Sequence, residues 1–160
     1  MRKIYLLFII TALCTAWLIV FYLGVSSGFS NYVPIIALLG SVALFVIAAP
    51  LIVYLQRAGL YVGLLSCLLM LPYSLMFILH LFRDYNGTWH WGLILILLPS
   101  MLVLLNVLFT VNALFVKKKM LRPVSINNTN KLLFSFFPVL LFAIYLVLYG
   151  RYWDWQMFKL

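Results

Sequence analysis

Glutamate does not occur in this sequence, and aspartate occurs only as Asp84 and Asp154. Mechanisms that need two carboxylates flanking one bond, as in glycoside hydrolysis, have almost no raw material here. Charge of either sign is scarce. Charged residues make up 8% of the chain, against roughly 25% in an ordinary soluble domain, too little to cover a water-soluble fold. The two cysteines, Cys14 and Cys67, sit in separate apolar runs without CxxC spacing. They suit small buried side chains better than a redox pair or zinc site, and they identify no compartment. Also missing are a Walker loop, a nucleophile elbow, a metal-ligand helix and a dinucleotide fingerprint. No internal repeat is visible, so nothing supports an inverted-repeat transporter.

Long apolar stretches are what the chain has instead. Hydrophobic residues make up 68% of its 160 residues. Residues 4–56 carry no Asp, Glu, Lys or Arg, and neither do 58–82, 85–116 or 132–150. A helix crosses a hydrocarbon core of about 30 Å in roughly 20 residues. Each stretch suffices for one crossing and the first for two. Because the runs are continuously apolar rather than alternating, helices and not barrel strands are expected. The expectation is one integral membrane domain, 1–160, with no soluble domain.

Five spans are expected, at about 4–23, 33–55, 59–82, 91–116 and 132–150. Met1-Arg2-Lys3 and the apolar run behind it resemble a signal peptide. That run, however, is longer than the usual roughly 7–15 residues, and Leu13 stands where a lipoprotein cysteine needs a small residue before it. An uncleaved first span is therefore expected. Pro34 suits the first turn of the second helix, and Pro50 and Pro99 mark kinks. Gln56-Arg57-Ala58-Gly59 reads as a tight connection. It keeps Arg57 at the surface and avoids the roughly 2.5–3.5 kcal/mol that a charge at the bilayer centre costs. Asn86-Gly87 marks the next turn.

Basic residues orient this arrangement. With the N-terminus inside, Arg2, Lys3, Arg57, Lys117, Lys118, Lys119, Arg122 and Lys131 share the cytoplasmic side, and Arg83, Arg151 and Lys159 the other. The excess satisfies the positive-inside tendency and predicts N-in, C-out. The net charge of +9 thus points to topology and anionic headgroups at the 117–131 loop, with Lys117, Lys118, Lys119 and Arg122 as lipid contacts, and not to nucleic acid.

Gly59, Gly63, Ser66, Met70 and Ser74 recur at three- and four-residue steps on the third span, all but Met70 small, and Gly59 and Gly63 form a GxxxG. Ala37, Ser41 and Ala48 form a similar stripe on the second. Such stripes let helix backbones approach closely in lipid, either within this hairpin or between copies of the chain. Asn106 and Thr110 lie one turn apart on the fourth span, Asn112 is on another face, and Ser100 follows Pro99. These side chains suit hydrogen bonds between helices, or the lining of a polar path.

His80, Asp84, His90 and Asp154 are all the imidazoles and carboxylates of the chain, and the expected topology puts them on the outer side. Interfacial ion pairing is the plainer account, since their spacing matches no metal motif. Trp89, Trp91, Tyr152, Trp153 and Trp155 suit an interfacial aromatic belt, and Trp153 and Trp155 in the outer tail are candidate partner contacts.

The sequence therefore points to a non-enzymatic accessory or interaction subunit of a membrane complex, working through its small-residue helix faces and outer aromatic tail and without a cofactor. Its partners would be lipids and either another membrane protein or copies of itself. A bacterial cytoplasmic (inner) membrane is the default location, since the loops are minimal. The alternative is a homo-oligomeric pore or small transporter with Asn106 and Thr110 along a polar path.

Overall fold

The fold is that of a computed structural model, which describes residues 2–20, 32–83, 91–116 and 127–149. Helix α1 spans Arg2–Leu18 and residues 19–20 extend it as a π turn. Then come α2 (Tyr32–Tyr54), α3 (Gln56–Arg83), α4 (Trp91–Val111) with a π-helical end at Asn112–Val116, and α5 (Asn128–Tyr149). No strand occurs among the described residues. A helix satisfies its own backbone polar groups, which an apolar run away from water demands. Four segments are long and apolar enough to cross a membrane: Ala37–Tyr54, Gln56–Arg83, Leu97–Phe115 and Asn128–Leu148. The chain is a multi-pass helical membrane protein. The apolar part of α1, Lys3–Leu18, is shorter than these four, and the end of the expected first span, 21–23, lies outside the described residues.

Residue pairing gives the helix directions. Phe8 meets Gly63 and Thr15 meets Met70, both pairs separated by 55 positions, so α1 and α3 run the same way. Tyr5 meets Phe134 and Ala16 meets Tyr145, both separated by 129, so α5 is also parallel to α1. Helix α2 opposes α3, since Ile52 faces Gly59 while Ser41 bonds to Ser66. Helices α2 and α3 pair most extensively, α4 packs on α3 and α1, and α5 packs on α2. Helix α1 therefore lies among all four. Phe8, Thr11, Thr15 and Ile19 are fully buried, and its exposed apolar side is the stripe Leu6, Ile10, Leu13 and Trp17.

The α2–α3 corner is sharper than expected. Leu55 alone separates the helices, and Gln56, Arg57, Ala58 and Gly59 already form the first turn of α3. Helical hydrogen bonding runs almost through the corner: Leu55 N–H donates to Leu51 O (2.6 Å) and Gly59 N–H to Leu55 O (2.9 Å). Gly59 makes this possible, because a Cβ there would collide with the backbone nitrogen of Ile52. Helix α5 also starts earlier than the expected 132. Its polar residues Asn128, Thr129 and Asn130 are helical, and Lys131 N–H donates to Asn127 O at 3.0 Å. Asn127 is thus placed as an N-cap, a role for which asparagine is well suited.

Pro138 lies inside α5. A proline has no N–H, so the carbonyl four residues earlier, that of Phe134, loses its helical donor. The Tyr5 hydroxyl donates to that carbonyl at 2.6 Å, and the two rings pack edge to face at 5.7 Å. Tyr145 returns the contact by donating to Ala16 O at 3.1 Å. These two bonds clasp a helix that is otherwise peripheral: 6% of its apolar window is buried, against 44% for α2.

Candidate functional site

Half of the eight polar side chains buried among the described residues gather at one depth. Phe8 of α1 packs against Phe45 of α2 (ring centroids 5.3 Å apart) and against Gly63 of α3. One helical turn further lie Thr11, Ser41 and Ser66. Asn106 of α4 joins them by donating from Nδ2 to Thr11 Oγ1 at 2.6 Å. All four side chains are fully buried. Each belongs to a different helix: Ser41 with Ser66 joins α2 to α3, and Thr11 with Asn106 joins α1 to α4.

Two linkages build the layer. Ser66 donates to Ser41 O at 2.7 Å, while the Ser41 hydroxyl lies 3.1 Å from Ser66 O and 3.0 Å from Ser66 Oγ. Each serine can thus reach the other's backbone carbonyl, and neither bond needs the partner's side chain. Single changes Ser41→Ala and Ser66→Ala are expected to cost about 0.6 kcal/mol each, the usual value for a polar contact between membrane helices. Their effects should add in a double-mutant cycle read by denaturation in detergent. Strong coupling would show that the hydroxyls act mainly on each other.

The second linkage joins α1 to α3 and α4. Thr11 donates to Leu7 O and Thr15 to Thr11 O, both at 2.7 Å, and Thr15 Oγ1 also lies 3.7 Å from Met70 Sδ. Hydroxyls bonded back onto their own helix in this way are satisfied without leaving the apolar interior. Thr11 has spent its proton on Leu7 O, so its oxygen accepts, and Asn106 must present its amide nitrogen. Asn106 Oδ1 is thereby turned elsewhere. It is buried with no hydrogen-bond partner among the described residues, and so is Thr110 Oγ1, one turn along α4.

The candidate residues separate cleanly. On α3, Gly59, Gly63, Ser66, Met70 and Ser74 are buried. On α2, Ser41 and Ala48 are buried and Ala37 is half-buried. These small residues lie where helices of the same chain meet: Gly59 against Ile52, Gly63 against Phe8 and Ser66 against Ser41. Ser100, Asn106 and Thr110 are buried within the bundle, whereas Asn112, at the start of the π-helical end, is exposed. His80 is exposed near the end of α3, and no group of three or more His, Cys, Asp or Glu side chains comes together among the described residues. Asp84, His90, Lys117, Lys118, Lys119, Arg122, Trp153, Asp154 and Trp155 lie outside those residues.

Sequence reasoning missed Thr11, Thr15, Tyr5 and Tyr145. A signal for the threonines existed, since they are the only Ser, Thr, Asn or Gln in 4–23 and stand one helical turn apart. The tyrosines gave none, because a tyrosine in an apolar run is equally at home as a lipid-facing or interfacial ring. No protein-family model matches this chain, and neither does any curated protein or solved structure compared with it.

Proposed function

We propose that the chain is a non-enzymatic accessory subunit that binds another membrane protein through the outward side of α5. The observation that carries this reading is the division of labour among its helices. The polar and small-residue faces of α1 to α4 are occupied by one another, and although every helix exposes some apolar residues, α5 is by far the least buried span, at 6% of its apolar window, with an outward stripe of Leu133, Phe136, Leu140, Ile144 and Val147. Aromatic and large aliphatic side chains on one helix face supply the van der Waals packing that drives helix association in lipid. Five crossings with the N-terminus inside fit this scheme. The shared direction of α1, α3 and α5 supports an odd number of passes, and the eight-to-three division of basic residues supports the orientation. A bacterial inner membrane remains the proposed location, and the outer tail with Trp153 and Trp155 would add a second contact.

Extraction of the native protein in mild detergent tests the reading. A partner in fixed stoichiometry is expected, and the triple change Leu133→Ala, Phe136→Ala, Leu140→Ala should cut its recovery severalfold while the chain itself melts as before. Deletion of 151–160 measures the tail's share. A chain that migrates alone from native membranes, or only with copies of itself, would refute the subunit reading.

One observation favours the pore as a second reading. The unpartnered oxygens of Asn106 and Thr110 are the kind of groups that line a hydrated path. Flux through liposomes that disappears on Asn106→Leu would establish it.

A further inference from the structure

Asn106 and Thr110 pose an unsolved hydrogen-bonding problem one turn apart on α4. Both side chains are fully buried, and both oxygens lack a partner among the described residues. Thr110 behaves differently from the two threonines of α1. Thr11 and Thr15 bond back to the carbonyl one turn earlier, as a helical threonine readily does. Thr110 Oγ1 makes no such bond, so it keeps both its proton and its lone pairs for another group. Asn106 cannot relieve its own deficit by rotating its amide, because Thr11 needs Nδ2 as donor.

We infer that one water molecule is bound inside the bundle between Asn106 and Thr110, donating to Asn106 Oδ1 and accepting from Thr110 Oγ1. The two residues are four positions apart on α4, so they share a face of that helix. Their needs are complementary: the amide oxygen only accepts, while the hydroxyl can donate. A water has both capacities, and buried waters are found where otherwise unsatisfied polar groups converge, usually with about three hydrogen bonds. In lipid an unmet polar group has no bulk solvent to turn to, which raises the penalty for leaving the pair dry. The site lies in the polar layer that joins α1 to α4, so the water would serve as a fifth member of that layer. This inference does not depend on whether α5 docks a partner.

Two measurements test it together. A high-resolution experimental structure should show a density peak about 2.6–3.2 Å from both oxygens, the hydrogen-bonding range. Thr110→Val, which keeps the side-chain shape, should lower the melting temperature in detergent by roughly 2–4 °C, as for the loss of about 1 kcal/mol from a chain of this size. Thr110→Ser should retain the peak. Well-ordered Asn106 and Thr110 with no peak between them would overturn the inference. So would Thr110→Val melting at or above the wild-type temperature, since that is the result for a hydroxyl with nothing to lose.

Discussion

Gly59→Ala is expected to destabilise the protein more than any other single methyl added to the small-residue stripe of α3. The new Cβ would fall on the backbone nitrogen of Ile52, with its Cα at 2.8 Å and Cγ1 at 2.7 Å. A backbone has no rotamer to yield with, so α2 and α3 would have to part at their one-residue corner. Overpacking a close interior typically costs about 1–3 kcal/mol, and this site belongs at or beyond the upper end. Gly63→Ala makes the instructive comparison. There the Cβ meets the Phe8 ring, which is a side chain but one fully buried and held by Phe45. Gly63→Ala should therefore cost about 1–3 kcal/mol, and Phe8→Leu should recover part of it by removing the ring atoms in the way. No side-chain change should rescue Gly59→Ala. Unfolding titrations of the four variants in mixed micelles read this directly. Equal losses at the two glycines, or a gain at either, would mean that the helices are further apart than the structure places them.

Tyr5→Phe should loosen α5 by stranding the Phe134 carbonyl that Pro138 has already deprived of a helical donor. A hydrogen bond between membrane helices averages about 0.6 kcal/mol and reaches about 1.7. The upper end applies here, because proline at 138 removes the helical N–H that would otherwise serve this carbonyl. The prediction is sharpened by its rescue. Pro138→Ala restores an N–H at 138, so in that background Tyr5→Phe should cost almost nothing. A double-mutant cycle should thus return a coupling of about 1.7 kcal/mol, the difference between the two backgrounds. Equal effects of Tyr5→Phe with and without Pro138 would show that the hydroxyl serves some other group. Cysteine cross-linking between α1 and α5 would report the same loosening as a fall in yield.

The Tyr5–Pro138 pair shows why a linear reading stops where it does. Pro138 in a helical run announces a broken backbone bond, but not which of the chain's many distant donors repairs it. Asn106 was a similar case. Its need for a partner followed from an amide in an apolar span, whereas its partner Thr11, 95 positions away, followed only from how α1 and α4 meet. The stripe Gly59, Gly63, Ser66 and Ser74 was legible because helical spacing and small size together mark a close face. Whether that face meets a helix of the same chain or of another was not, since both require the same residues.

Composition and charge spacing alone established a helical membrane protein of several passes. In hydrocarbon the backbone must satisfy itself, and a charge-free run longer than the core is thick leaves the helix as its solution. Packing partners were settled only by the tertiary structure. Lipid and protein interior are equally apolar, so the contrast that separates inside from outside in a water-soluble helix is missing here. Phe8 and Phe136 look alike in the sequence, yet one is fully buried and the other 61% exposed. That difference arises because α1 lies among four helices while α5 rests chiefly on one, and interhelical distance and direction are properties of the folded bundle.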